Sequence, residues 1–207
     1  MRILWALLMV FPLAAPAAHA GDLVVSLKDA SGEPVVNAVV TYHPAAGVPA
    51  PRPAGAYVVA QADIRFEPFV LVAPVGAAVQ FPNHDKVRHH VYSFSAAKRF
   101  ELKLYGRDET RSVTFDHPGA VSLGCNIHDQ MMGFIYITDT PYAAKSGPRG
   151  EVLLENLPAG PGTLTVWQPF LKSRGNAVDR QLSIPAQGEA RAALSLDLRP
   201  PPKGKEL

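Results

Sequence analysis

The stretch Val121-Ser122-Leu123-Gly124-Cys125-Asn126-Ile127-His128-Asp129-Gln130-Met131-Met132-Gly133-Phe134-Ile135-Tyr136-Ile137 decides how this sequence folds. Val121, Leu123 and Cys125 recur every second residue, which places them on one face of a strand. Gly133 to Ile137 resumes the strand pattern, so the polar run between is a loop joining two strands. Cys125 ends the inward apolar row, and His128 and Met131 follow it at three-residue steps.

The same short β signals continue on both sides. Upstream, Phe69-Val70-Leu71-Val72 and Ala77-Ala78-Val79-Gln80-Phe81 flank a turn at Pro74-Val75-Gly76. Phe100, Leu102 and Leu104 alternate with Glu101, Lys103 and Tyr105, the period of a half-buried strand, and Val113 and Phe115 alternate likewise. Nearer the start, Leu23 to Leu27 and Val35 to Tyr42 read as strands about a turn at Asp29-Ala30-Ser31-Gly32, followed by a Pro/Ala/Gly-rich loop from His43 to Gly55. Downstream come Glu151 to Leu154, a turn at Pro158-Ala159-Gly160-Pro161-Gly162, Thr163 to Trp167, Gln181 to Ile184 and Ala192 to Leu198. With 20 prolines in 207 residues, long helices are disfavoured, because an interior proline removes a hydrogen bond and clashes with the preceding turn. Short strands with regular turn punctuation predict an all-β protein.

Composition removes several functions. Twenty Lys+Arg against eighteen Asp+Glu give +2, and no basic run exceeds two residues, so no nucleic-acid footprint is present. One cysteine excludes an intrachain disulfide framework and a four-cysteine zinc or iron–sulfur site. Residues 1–20 read as a signal peptide: Arg2, an apolar run from Ile3 to Leu13, and Ala18-His19-Ala20 before a cleavage near Ala20-Gly21. The expected location is therefore periplasmic or secreted, and no segment reaches the length of a membrane span. Removing that leader leaves Met131 and Met132 as the remaining methionines, both close to Cys125. A free thiol in an exported protein is a redox liability, so a function for it is expected.

Cys125, His128 and Met131 place a thiol, an imidazole and a thioether on one loop, and a histidine pair, His89-His90, lies upstream in Arg88-His89-His90-Val91-Tyr92. Two histidines and a thiolate in a plane, with a weak axial methionine, form the donor set of a blue-copper site. Adjacent strand residues face opposite sides, so His89 and His90 cannot both reach one metal without distortion. His90 is read as a hydrogen-bonding residue beside the site, with ligation as the other possibility. His84 is read as a rim residue or an alternative ligand, His43 and His117 as surface residues at turns, and Arg107-Asp108-Glu109 as a hydrated turn. Trp167 is read as a core or inter-module anchor.

The run Val75-Gly76-x-x-Val79-x-Phe81-x-Asn83-x-Asp85, then His89-x-Val91, then Cys125-x-x-His128-x-x-Met131-x-Gly133 resembles the cupredoxin family (plastocyanin, pseudoazurin, amicyanin), with loop spacing nearest amicyanin. The chain also resembles exported plastocyanin-like proteins labelled methylamine utilization proteins. In these a cupredoxin-like part is joined to a transthyretin-like or carboxypeptidase-regulatory-like β module, here Asp29 to Val40 and Leu157 to Trp167. The resemblance implies a cupredoxin-like Greek-key β-sandwich joined to a second, smaller β-sandwich-like module. The boundaries are 21–61 for an N-terminal β segment, 62–140 for the copper domain, 141–199 for a C-terminal β segment and 200–207 for a disordered tail.

It implies His89, Cys125 and His128 as equatorial ligands of one mononuclear type 1 copper, with Met131 axial and Met132 as its rival. It implies an electron carrier rather than an enzyme, a monomer, with His128 as the electron exit and Ile127, Met131 and Met132 framing a docking patch. Partners would be redox proteins: a dehydrogenase such as methylamine dehydrogenase, or a c-type cytochrome. Two departures stand out: Ile127 replaces a frequent proline, and Asp129 places a carboxylate where the family is apolar. The alternative is a non-redox binding or copper-handling β-sandwich.

Overall fold

The structure is a computed structural model that describes residues 20–202. Most of the expected leader (residues 1–19) and the end of the expected tail (residues 203–207) lie outside the described residues. In chain order the strands are β1 (Ala20–Asp29), β2 (Val39–Pro44), β3 (Tyr57–Val58), β4 (Ala60–Ala62), β5 (Arg65–Glu67), β6 (Val70–Pro74), β7 (Ala78–Pro82), β8 (His89–Phe94), β9 (Arg99–Tyr105), β10 (Thr110–Thr114), β11 (Gly119–Gly124), β12 (Met132–Thr138), β13 (Ala143–Lys145), β14 (Glu151–Pro158), β15 (Gly160–Trp167), β16 (Ala177–Ile184) and β17 (Glu189–Leu196). A 3-10 turn at Arg174–Asn176 is the sole helical element among the described residues, so the protein is all-β as its prolines require.

The first two strands and the last five surround one core. They form a sheet ordered β14-β1-β17 and a second ordered β13-β2-β15-β16. Leu23, Val25 and Leu27 point inward from β1 and meet Leu157, Leu164, Val166 and Tyr42. The last strand returns to lie parallel to the first, from Asp22↔Glu189 to Asp29↔Leu196.

Between β2 and β13 the chain builds a second pair of sheets, β6-β12-β11-β8-β9 and β10-β7-β3. Val79 and Phe81 from the smaller sheet pack on Val91, Val121, Leu123 and Ile135 from the larger. Strand β3, which lies ahead of residue 62, joins this part by pairing parallel to β7. The two units meet through a third cluster, where Trp167 and Val39 cover Val70 and Phe134. The rings of Phe134 and Trp167 stand 5.8 Å apart and edge-on, a favoured aromatic geometry. Trp167 is thus the inter-module anchor.

Several local expectations shift. The second strand begins at Val39 rather than Val35, because Asn37 at φ 58° breaks the pleat before it. It also runs through His43 to Pro44, so the loop is shorter than expected. The turn expected over Pro158 to Gly162 shrinks to the junction at Ala159, since Pro158 closes edge strand β14 and Gly160 opens β15. Strand β9 alternates as expected until its end, where Leu104 is exposed and Tyr105 is fully buried. The cause is an irregularity in the β8–β9 ladder: His89 pairs with Tyr105 but Val91 with Leu102, so β9 carries one extra residue.

Candidate metal centre

Strand β8 delivers His89 at its first position and β11 delivers Cys125 just past its last. The β11–β12 ladder (Leu123↔Gly133, Gly124↔Met132) holds the ends of the intervening loop together, so Cys125, His128 and Met131 are confined to a small volume. The Met131 N–H donates to the His128 carbonyl at 2.9 Å, which closes the loop into a turn.

Cys125 Sγ lies 3.9 Å from His89 Nδ1 and 3.7 Å from His128 Nδ1. The three donor atoms all fall within 4.8 Å of one another. A trigonal ion with bonds of about 2.0 Å to nitrogen and about 2.3 Å to sulfur separates those two donors by about 3.7 Å. The observed separations therefore match what one ion between them requires. His89 is 0% and Cys125 3% exposed, and His128 is half-buried on the loop. Met131 is 2% exposed and belongs to the same core cluster as Cys125, whereas Met132 packs toward the inter-unit cluster. A soft thiol, two ring nitrogens presented through Nδ1 and a buried thioether suit copper by donor chemistry.

His89 is held from behind. Its Nε2 lies 2.6 Å from Asp85 Oδ2, and Asp85 also accepts from the main-chain N–H groups of Asp63 at 2.8 Å and Ile64 at 3.0 Å. Burial pushes the Asp85 carboxyl up, but the hydrogen bonds with His89, Ile64 and Asp63 outweigh it and hold the group below the usual carboxylate range. Asn83 builds the loop that carries it: its Oδ1 accepts from the Asp85 N–H, and its Nδ2 donates to the carbonyls of Val87 and Tyr105. The Asp85–His89 contact was not read from the sequence. The available signal was Asn83-x-Asp85, a spacing that suits a side-chain-capped turn, four residues before a histidine.

His90 faces the opposite side from His89. Its Nε2 lies 2.8 Å from Glu101 Oε1 and its ring is 5.7 Å from that of Tyr92. His84 and His117 are exposed, and His43 meets Asp139 at 2.8 Å on the surface. Gly124 allows a close approach: a Cβ there would sit 2.7 Å from Tyr92 Cζ, at the far end of that ring. The apolar patch expected around His128 is reduced, because Ile127 is 50% exposed but Met131 is buried in the core. Asp129 is exposed, so water screens its charge.

No family model matches the chain, and no curated protein matches it. Among solved structures, an oxidized amicyanin mutant is 24% identical, covering 41% of this chain and 83% of that one at a TM-score of 0.38. The purple cupredoxin of Nitrosopumilus maritimus is 20% identical, covering 41% of this chain and 100% of that one at 0.36. The copper-containing nitrite reductase of Thermus scotoductus SA-01 is 26% identical, covering 57% of this chain but 28% of that one, at 0.39.

Proposed function

We propose that the protein is an exported type 1 copper electron carrier of cupredoxin type. His89, Cys125 and His128 would hold one copper ion, with Met131 as the weaker fourth donor. The observation that carries this reading is the convergence of one thiol and two Nδ1 atoms within 4.8 Å, in a core that also buries Met131. Copper would supply a one-electron couple, its thiolate and thioether donors favouring the reduced ion and its imidazoles the oxidised one. The chain contributes rigidity: Cys125 sits at a strand end, His89 is fixed by Asp85, and the loop is tied at both ends by the β11–β12 ladder. Half-buried His128 beside exposed Ile127 is the route by which a redox protein would exchange the electron. A dehydrogenase such as methylamine dehydrogenase or a c-type cytochrome are the partners in view. The regulatory-like module, built from the segments on either side of the copper domain, would serve as its platform.

Adding Cu(II) to the purified protein tests this directly. An intense visible thiolate-to-copper band is expected, bleached by reductant and absent in Cys125→Ser. A protein that binds copper without colour would replace electron transfer with copper handling. Loss of colour in His90→Ala but not in His89→Ala would move the ligand by one position.

A further inference from the structure

The tip of the β4–β5 hairpin is built against its own backbone preference. Ala62 pairs with Arg65, leaving a two-residue turn of Asp63 and Ile64. Both have positive φ, 51° and 57°. That turn type usually employs glycine or asparagine, and a β-branched residue at positive φ is a genuine outlier. Strain of this kind persists where the surroundings over-determine it. Here the two N–H groups it turns outward both donate to Asp85, one to each carboxylate oxygen.

We infer that this hairpin tip and Asp85 form a positioning relay for His89, fixing which ring nitrogen carries the proton and adding a negative charge behind the ligand. An ionised carboxylate accepts hydrogen bonds and cannot donate them. Asp85 Oδ2 at 2.6 Å therefore places the His89 proton on Nε2, leaving the Nδ1 lone pair aimed toward Cys125 Sγ at 3.9 Å. A carboxylate behind a ligating imidazole also raises the basicity of the ring, which favours the more highly charged metal ion. Asp85 is thus a positioning residue, accepting from the hairpin tip on one side and facing His89 on the other. The tautomer half of this inference stands on the copper-free chain; the metal half rests on the reading of His89 as a ligand.

Asp85→Asn separates the possibilities, because an amide in that place can present a donor to the ring. In the copper-free protein, at a pH where the rings are neutral, 15N spectra of labelled histidine are expected to show the His89 proton on Nε2 in the native chain. In Asp85→Asn the population should move toward Nδ1–H, and the Asp63 and Ile64 amides should exchange faster. With copper, the variant is expected to lose about tenfold more affinity for Cu(II) than for Cu(I), a rise in potential of about 59 mV. Asp85→Glu keeps the charge and should restore the native tautomer, which preserves the test if the asparagine variant folds poorly. An unchanged tautomer in Asp85→Asn, or an unchanged ratio of Cu(II) to Cu(I) affinity, overturns the relay. If the native chain takes up no copper the proposed function fails, while the tautomer measurement still decides this inference.

Discussion

The two cores of this molecule are similar in construction and opposite in content. The core of the flanking strands is closed by hydrocarbon: Leu23, Val25, Leu27, Leu157, Leu164 and Val166, with the hydroxyl-tipped Tyr42 buried among them. The core of the middle strands gives one end to polar groups. His89, Cys125, Asn83, Gln61 and Tyr105 are all buried there, and most of their polar atoms are satisfied by one another or by main chain. Buried polar groups stabilise a unique arrangement only when paired, so the middle core holds its members in place by hydrogen bonds as well as by packing. The difference teaches where polar anchoring has been placed: the flanking core is held chiefly by packing, and the middle core holds side chains such as His89 and Asn83 by hydrogen bonds as well.

The seam between the cores is the first place to break that comparison. Trp167→Ala removes the ring that contacts Phe134 and Tyr136, and a loss of about 3–5 kcal/mol is expected for a buried tryptophan. If the seam makes the two units unfold together, urea melts of the native chain show one transition and those of Trp167→Ala show two. A single unchanged transition would mean that the units are coupled elsewhere.

Alkaline pH presses on the polar core through Tyr105, while burial also raises the hydroxyls of Tyr42 in the flanking core and Tyr136 at the seam. Burial pushes the Tyr105 hydroxyl up to about 12, partly offset by its hydrogen bond from Gln61. The folded value thus exceeds the unfolded one, so between about pH 10 and 12 the unfolded chain has released a proton that the native chain keeps. Stability from this group is complete below pH 10 and falls as pH rises toward 12, by roughly 2–3 kcal/mol. Tyr105→Phe should flatten that decline, and denaturant midpoints measured across this range would show it. An equally steep decline in the variant would assign it to other groups.

A smaller effect is expected at Gly124→Ala. The added methyl meets the far end of the half-exposed Tyr92 ring, which can swing outward, so a cost of about 1 kcal/mol is expected, at the low end for overpacking. Thermal melts read the cost, and a shift of the Tyr92 ring resonances reads the swing. A loss several times larger would show that Tyr92 is locked by its tilted ring contacts with His90 and Phe94.

Much of this was legible because it is local. Val121, Leu123 and Cys125 alternate in the sequence and all three are buried. The opposition of His89 and His90 follows from the strand period, and the structure places His90 against Glu101. Tyr105 was not legible, since it depends on one extra residue of β9 opposite His89 and Val91, and no composition records how two strands align. Asp85 stands in a visible local pattern, Asn83-x-Asp85, but two of the hydrogen bonds that hold it come from a hairpin tip twenty-odd residues earlier in the chain. The docking patch of Ile127, Met131 and Met132 loses Met131, whose side chain is buried as an axial donor would be, because spacing along a loop does not tell which side chain turns inward.

The sequence by itself determined the β class, through prolines that forbid long helices and through residue alternation. It also placed a thiol, an imidazole and a thioether on one loop, because a lone cysteine followed by histidine and methionine at three-residue steps is a local fact. Only the tertiary structure decided which donors converge and what stands behind them. Cys125 and His89 are 36 residues apart and meet through the pairing of β11 with β8. Likewise, the carboxylate that orients His89 is held by a turn from another pair of strands. Hydrogen-bond ladders and packing fix such distances between segments, and a linear pattern carries no term for them.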